Sequence, residues 1–366
     1  MVFEVKLRQF SCRFKLICKA VAIEKIHIDR FLELAERFPV LDVRSPAEYG
    51  HAHIPGAFSL PLFTDEERKV VGTAYKQQSR QIAIKEGLTF FGPKMKAMVE
   101  EAEKISSNTV LVHCWRGGMR SAGVAWLLDL YGFKVYTLTG GYKAFRNWVV
   151  NQFTLPYRFN ILGGYTGSGK TEVLTELQQK QQRVIDLEAL AGHKGSAFGN
   201  IGLPPQPKQE MFENRLALQL AVLGQTDPIW LEDESQRIGT VNIPQPLWLN
   251  MRSSSIYFLN IPFEERLEHI TIEYGALDRE RVLSAIERLQ KRLGGLETKT
   301  AIEHLHNEDI RECFRILLKY YDKYYQKGLI SRDQLEKLLN NIPCETIYAP
   351  DNADEVLKRI QTIGVP

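Results

Sequence analysis

Apolar and polar positions along the chain fall into two alternating series of strands and helices. In the first, Phe38-Pro39-Val40-Leu41-Asp42-Val43-Arg44 is an apolar run ending in an acid and a base, and Ser45-Pro46-Ala47-Glu48 follows as a capped helix start. Pro55-Gly56 forces a turn before a second short strand. Thr109-Val110-Leu111-Val112 is a third apolar run, and Lys134-Val135-Tyr136-Thr137-Leu138 a fourth that ends in Gly140-Gly141 and a helix. Between them, 63–87 is a charged helical stretch with Lys69, Lys76, Arg80 and Lys85, read as a solvated face before an RNA contact. The second series opens with the strand Arg158-Phe159-Asn160-Ile161-Leu162-Gly163 and a helix over 172–182. Val184-Ile185-Asp186-Leu187-Glu188, Pro228-Ile229-Trp230-Leu231 and Ser255-Ile256-Tyr257-Phe258-Leu259 read as further strands, and 264–274, 279–293, 307–327 and 331–339 as helices. Such alternation predicts an α/β protein with parallel sheets and a helical C-terminal extension. Two domains follow, 1–155 with its core at about 25–150 and 156–366, joined by the short, partly aromatic Asn151-Gln152-Phe153-Thr154-Leu155-Pro156-Tyr157.

Each series holds a glycine-rich turn between a strand and a helix that carries candidate chemistry. The first is His113-Cys114-Trp115-Arg116-Gly117-Gly118-Met119-Arg120-Ser121. Gly117 and Gly118 let successive amides turn inward, and Arg116 and Arg120 add charge, so the loop has the parts of an anion cradle. A helix N-terminus and guanidinium charge favour thiolate, lowering a cysteine from about 8.5 into the range of roughly 3.5 to 7.5. Cys114 is therefore the candidate nucleophile, against the competing reading of a buried structural cysteine. The second turn, Gly164-Tyr165-Thr166-Gly167-Ser168-Gly169-Lys170-Thr171, fits the phosphate-loop pattern in its required setting of strand, turn and helix. Gly164, Gly167, Ser168, Gly169, Lys170 and Thr171 are the candidate phosphate-binding residues. Acids gather after the Trp230 strand, where an open sheet binds ligands, making Glu232 or Asp233 a candidate magnesium ligand with Thr171 and Arg237 a candidate phosphate support; solvated loop acids compete equally. The glycine-rich loop 192–199 is placed to close over a phosphate ligand.

Composition narrows the classes. The 366 residues are 44% hydrophobic and 25% charged with no apolar run long enough for a bilayer, so no membrane partner is expected. The first twenty residues interrupt their apolar pairs with Lys6, Arg8, Arg13, Lys15 and Lys19, unlike a secretory signal, and a cytoplasmic protein is expected. Five cysteines at scattered spacings, without a CxxC pair, fit reduced thiols. A net charge of +3 is too small to announce a nucleic-acid partner by itself. His51 and His53 lack companions at metal spacing, and no firm metal site is assigned. Lys319-Tyr320-Tyr321-Asp322-Lys323-Tyr324-Tyr325 interleaves bases with aromatics, as an RNA face does, but its apolar spacing favours core packing for some of the tyrosines.

Leu41-Asp42-Val43-Arg44, Glu48-Tyr49 through His53-Ile54-Pro55-Gly56-Ala57, Cys114 with Arg120, and Gly140-Gly141 with Trp148 together resemble the rhodanese domain. Asp42 and Arg44 read there as structural, bonding each other and neighbouring backbone. Cys114 to Arg120 spans a seven-residue loop, one longer than in many sulfur-transferring rhodaneses, and also satisfies the signature of cysteine-dependent phosphatases. The longer loop suits a tetrahedral phosphoryl group.

Adding Phe63-Thr64-Asp65-Glu66-Glu67-Arg68, Val71-Gly72-Thr73, Tyr75-Lys76-Gln77, the phosphate loop and Leu231-Glu232-Asp233-Glu234-Ser235, nearly the whole chain resembles the tRNA 2-selenouridine synthase family. The resemblance implies a rhodanese-like domain fused to a P-loop domain, and replacement of sulfur by selenium in wobble 2-thiouridine of tRNA. It implies geranyl diphosphate and selenophosphate as co-substrates, with an S-geranyl intermediate. On that chemistry the phosphate loop serves geranyl diphosphate instead of ATP, and Cys114 either carries selenium as a perselenide or its loop holds selenophosphate. A cysteine-dependent phosphatase or a sulfurtransferase fused to a nucleotide-binding domain is the alternative enzyme class, and an RNA-binding module without catalysis the alternative to an enzyme.

Overall fold

The computed structural model describes residues 23–363 apart from Ala197 and Ala276, so the reading of the first twenty residues, with Cys12 and Cys18, lies outside the described residues. The chain divides into two compact units, Met1–Val149 and Val150–Pro366. No described helix is long and apolar enough to cross a membrane.

The first unit is built on a five-stranded parallel sheet in the order β1-β5-β4-β2-β3, with β1 Glu24–Ile26, β2 Val40–Asp42, β3 Phe58–Ser59, β4 Thr109–His113 and β5 Lys134–Leu138. Every residue of β4 is buried, as expected of a central strand covered on both faces. Val40 pairs with Leu111 and Asp42 with His113, so β2 and β4 end level and the segments carrying Arg44 and Cys114 leave the same end of the sheet. Leu41, Val43, Val110, Val112, Val124, Leu128 and Phe91 form the core against the helices. The charged stretch at 63–87 is two helices, Asp65–Gln77 and Arg80–Phe91. They part at Ser79, whose hydroxyl accepts from the Ile82 amide at 3.2 Å and caps the second.

Asp42 and Arg44 take the structural role expected of them. Both are fully buried; Arg44 Nε donates to both Asp42 oxygens at 3.0 Å, and Nη2 donates to Asp42 at 2.6 Å and to the Ala52 carbonyl at 2.7 Å. The guanidinium lies 3.9 Å from the Tyr142 ring centroid. Carboxylate, carbonyl and ring together replace the water that a buried charge loses.

The second unit holds a four-stranded parallel sheet in the order β11-β10-β6-β7, with β6 Phe159–Gly164, β7 Ile229–Glu232, β10 Ser255–Asn260 and β11 Leu339–Pro343, and a small antiparallel hairpin of β8 Arg237–Ile238 and β9 Val241–Asn242. Three expectations are corrected here. Val184–Glu188 is no strand: Val184 alone bridges Trp230, and Asp186 caps the helix Leu187–Ala191 by accepting from the Ala189 amide at 2.7 Å. The stretch 331–339 is not one helix. A short turn Leu335–Leu338 gives way to β11, which supplies partners for the backbone groups along one edge of β10. The helix expected at 307–327 runs Ile310–Ile330, capped by Asp309 and preceded by a separate helix, Gly295–His306. With Phe263–Gly275 and Arg279–Leu293 these helices enclose a second core of Leu267, Ile286, Leu289, Phe314 and Leu317.

Arg44→Ala removes one partner of a buried pair and leaves the Asp42 carboxylate uncompensated. A loss of about 3–5 kcal/mol is expected in the first unit, measured by urea unfolding, with the second unit's transition unmoved.

Candidate active site

Cys114 follows the last residue of β4, and the helix Met119–Tyr131 starts five residues later. The loop between them is fixed from below: the Tyr142 amide donates to the Cys114 carbonyl at 2.8 Å and the Lys143 amide to the Trp115 carbonyl at 3.0 Å. Gly117 has φ +64°, and a Cβ there would lie 2.5 Å from the Leu138 carbonyl oxygen, so the turn admits glycine alone. Gly118 stands at the N-cap of that helix and makes no side-chain cap, which leaves first-turn N–H groups available to an anion. Cys114 is 3% exposed, and its Sγ lies 3.2 Å from Ser121 Oγ, a contact in which either atom can donate.

Of the two arginines, Arg116 is exposed, whereas Arg120 Nη1 and Nη2 meet the Glu48 carboxylate at 2.5 and 3.3 Å. Glu48 was not foreseen as part of this site. The capping pattern Ser45-x-x-Glu48 and its place in the Glu48-Tyr49 stretch did not mark it for an anion site, and its Oε2 does accept from the Ser45 amide at 3.0 Å. Arg120 is thus held by a carboxylate. Of the other described cysteines, Cys313 and Cys344 are buried, and burial pushes their thiols up to about 12 and about 11, which makes them inert.

In the second unit the phosphate loop joins β6 to the helix Lys170–Gln179. Gly169 is its N-cap in the left-handed region, Ser168 is 1% exposed, and Lys170 Nζ donates to the Gly164 carbonyl at 3.1 Å. Gly167, φ +79°, sits so close to the Phe263–Gly275 helix that a Cβ would come within 2.6 Å of Ile270 Cδ1. Two residues that sequence reasoning missed brace the loop. Arg266 is buried, donates to the Thr166 carbonyl at 3.0 Å and forks onto Asp322 at 2.9 and 2.7 Å. Tyr325 accepts from the Gly164 amide at 3.3 Å and donates to Asp233 at 2.6 Å. Their helices lie about a hundred residues or more downstream of the loop in sequence, and no local pattern announces such a contact.

The acidic candidates separate. Glu232 is fully buried and accepts from the Leu187 amide at 3.0 Å; Asp233 is taken by Tyr325 and by an ion pair with Arg332; Arg237, in the hairpin, donates to the Gly239 carbonyl at 2.8 Å. None of these contacts reaches Thr171. The carboxylate beside Thr171 is Glu188, with 3.4 Å between Oγ1 and Oε2. Among the described residues no three metal-ligating side chains cluster. Thr171 and Glu188 do supply the oxygen donors that magnesium takes alongside substrate phosphates. Loop 192–199 passes next to them, for a Cβ on Gly195 would fall 2.8 and 2.9 Å from the carboxylates of Glu188 and Glu234. Lys194 of that loop pairs with Glu273.

The rhodanese-like domain family matches residues 28–147, and the family described as the tRNA 2-selenouridine synthase AAA domain matches 157–341. A tRNA 2-selenouridine synthase of Hydrogenovibrio crunogenus is 35% identical over 79% of this chain and 89% of its own length. The chain belongs to the tRNA 2-selenouridine synthase family. Family members so named from Sulfurovum sp. and Marinobacter nauticus are 36% and 37% identical, over 78% and 70% of this chain and 87% and 76% of theirs. Within this synthase family framework, Cys114 and the phosphate loop each fall inside one matched domain.

Titration distinguishes the two units. Burial, outweighing the nearby Asp42 carboxylate, brings His113 down to about 4 from its ordinary 6.5. The unfolded chain takes up that proton first, so this stabilisation is complete above pH 6.5 and is lost as pH falls toward 4. Burial together with Asp186 raises Glu232 well above the ordinary 4.5, and burial with Glu188 does the same to Glu234. These groups stabilise the folded second unit below pH 4.5, and the contribution is lost as pH rises. Acidification from pH 6.5 to 4.5 is therefore expected to weaken the first unit and strengthen the second, read by urea unfolding with pulse proteolysis. His113→Leu should flatten the first response and Glu234→Gln reduce the second, with Glu232 carrying what remains.

Proposed function

We propose that the protein exchanges sulfur for selenium in 2-thiouridine of tRNA through two transfers, with geranyl diphosphate as the first co-substrate and selenophosphate as the second. The observation that supports this reading is the presence in one chain of a cysteine anion loop and a phosphate loop, in matched domains and over most of the length of relatives so named. In the first transfer the thiocarbonyl sulfur attacks the allylic carbon of the donor. The carbon–oxygen bond breaks, its electron pair leaves on diphosphate, and the base gives its N3 proton to solvent. Amides at the start of Lys170–Gln179 and the Lys170 ammonium, which rests on the Gly164 carbonyl, receive the charge that develops on the diphosphate. Magnesium at Thr171 and Glu188 would add charge neutralisation there.

Alkylation turns a poor leaving group into a good one. In the second transfer the selenium of selenophosphate adds at C2, and geranyl thiolate departs and is protonated. Cys114 Sγ then attacks phosphorus, the selenium–phosphorus bond breaks with its electron pair on the base, which takes a proton back at N3, and water hydrolyses the cysteinyl phosphate to phosphate and the free thiol. Ser121 Oγ lies 3.2 Å from Sγ and 3.1 Å from the Gly118 carbonyl, and turning its proton from that carbonyl to sulfur would stabilise the leaving thiolate, while Arg116 and Arg120 would hold the phosphoryl oxygens. This route needs only water. A perselenide on Cys114 would require an oxidant to form and a reductant to discharge.

Nucleoside mass spectrometry on 2-thiouridine tRNA, with each donor omitted in turn, tests the reading. Geranyl diphosphate alone should give the geranylated nucleoside, and both donors together 2-selenouridine. Lys170→Ala should slow geranylation by about 100-fold or more while still converting pre-geranylated tRNA. Cys114→Ser should geranylate and then stall. Normal selenation by Cys114→Ser would remove the cysteine loop from the reaction. Unchanged tRNA in the presence of active donors would overturn the reading in favour of phosphatase or sulfurtransferase chemistry at Cys114.

A further inference from the structure

A cavity of about 720 Å³ in the second unit takes no part in the steps above. One wall is the helix Arg279–Leu293, which supplies Arg281, Ser284 and Arg288; the other is the segment 200–206 with Thr240 of the β8–β9 turn. Gln206 pins that second wall, donating through Nε2 to the Ala191 and Ile238 carbonyls at 2.9 and 3.2 Å and accepting from the Thr240 amide at 2.8 Å. On the helix, Arg288 Nη1 donates to Ser284 Oγ at 3.1 Å. Two guanidiniums and no carboxylate line the space. The exposed acids of the same helix, Glu280 and Glu287, follow a neighbouring stripe and stay out of it.

The basic stripe runs on past the cavity. Arg281, Ser284, Arg288 and Arg292 are spaced three, four and four residues apart and so lie along one side of the helix. The Arg292 guanidinium lies 6.0 Å from the ring centroid of Tyr324 on Ile310–Ile330, which joins the stripe to the run of bases and aromatics at 319–325. Of the four tyrosines in that run, Tyr320 and Tyr321 pack against the core, Tyr325 bonds Asp233, and Tyr324 is turned outward at 56% exposure. Tyr320 stacks on Tyr324 at 6.3 Å and 23°, which steadies the exposed ring. Lys323 and Lys327, both exposed, stand three and seven residues from Tyr320 on the same side as Tyr324. Asp322, the acid in the run, is taken up by Arg266.

Resting on the reading that the substrate is tRNA, we propose that this face holds a single-stranded segment of it, with phosphates on Arg281 and Arg288 in the cavity and a base stacked on Tyr324. The chemistry of the face selects that occupant. Guanidiniums fork onto phosphate oxygens, and a cavity lined by two of them without a carboxylate suits an anion. Seven residues at 1.5 Å each set Arg281 and Arg288 about 10.5 Å apart along the helix, so they serve separate phosphates of a strand and not one small anion. Unstacked bases offer flat faces to an exposed ring, and bases alternating with rings are what a single strand requires. An acidic peptide supplies carboxylates for the arginines but no base for Tyr324. The net charge of +3 hides such a face, because 44 acids across the chain nearly balance 47 lysines and arginines.

Fluorescence anisotropy of labelled tRNA with the full-length protein, repeated over a range of salt, tests the face. Arg281→Ala combined with Arg288→Ala should weaken binding by about tenfold or more. The slope of log affinity against log salt should fall by about 1.4, two single-strand phosphates at about 0.7 each. Tyr324→Ala should weaken binding about tenfold with the slope unchanged, and Tyr324→Phe should bind as the wild type does. Lys96→Ala combined with Lys104→Ala removes two exposed charges from the first unit and should change neither affinity nor slope. Wild-type affinity and slope in the double arginine variant, wild-type affinity in Tyr324→Ala, or equal weakening by the lysine pair would overturn the assignment. Polyglutamate that displaces tRNA as well as polyuridylate does would overturn it in favour of an acidic protein partner. Failure of the wild type to bind tRNA would instead remove the tRNA reading on which it rests.

Discussion

A helix that begins at the end of a parallel strand presents first-turn N–H groups with no intrahelical partner, and both sites of this protein depend on that unmet requirement. In each unit the strand before the turn lies inside its sheet, β4 between β5 and β2 and β6 between β10 and β7. Burial keeps the strand straight and rigid up to its last residue, and glycine then bends the chain where side chains would collide. Gly117 against the Leu138 carbonyl and Gly167 against Ile270 both show this. An anion is the natural partner for amides so arranged, which makes both turns receptors before any side chain is considered.

Side chains then decide what kind of anion and what is done to it. The first turn holds a thiol with a hydroxyl 3.2 Å away and an arginine tethered to Glu48, a set able to accept and release a phosphoryl group. In the second, a lysine and the Thr171–Glu188 pair stand around the turn, which carries hydroxyls but no thiol, a set that suits holding a phosphate group. Buried charge holds both in shape. Asp42 and Arg44 tie the end of β2 to Ala52, and Arg266 with Asp322 ties the Thr166 carbonyl to two helices. Losing one partner from such a pair leaves a charge without water or counter-ion, so these arrangements resist drift more firmly than apolar contacts of equal area.

How much of this could be read from the sequence follows from the range of the interactions. Both anion turns were legible because strand, glycine turn and helix are contiguous and each part has its own residue pattern. Asp42 and Arg44 were legible as a pair two residues apart on a strand end. Asp186 was misread inside a strand because Val184-Ile185 is apolar, while the decisive hydrogen bond to the Ala189 amide is a capping contact. Strand β11 was hidden because its pairing is chosen by the open edge of β10, about eighty residues upstream. Arg266, Tyr325 and Glu188 carry no local mark, since each acquires its role only when folding sets it beside the loop. Asp233 shows the converse: its position after β7 recommended it, and Arg332 and Tyr325, a hundred residues on, had already engaged it.

Sulfur double-bonded to carbon leaves a pyrimidine poorly, because its departure would place charge on sulfide. On the proposed route selenium arrives attached to phosphorus, and something must take the phosphorus away. Each difficulty is an anion difficulty: the first is relieved by alkylation at the expense of a diphosphate, the second by removal of a phosphate. A chain performing both transfers needs two anion receptors with different companions, one able only to hold its anion and one able to bond to it. On the proposed reading, the phosphate loop, which has no thiol, and the cysteine loop, which has one, divide along that line. A sulfurtransferase would need room for a single sulfur atom, and a phosphatase would need no second loop. On the proposed reading, two anion turns with different companions match two successive transfers, each turn serving one of them.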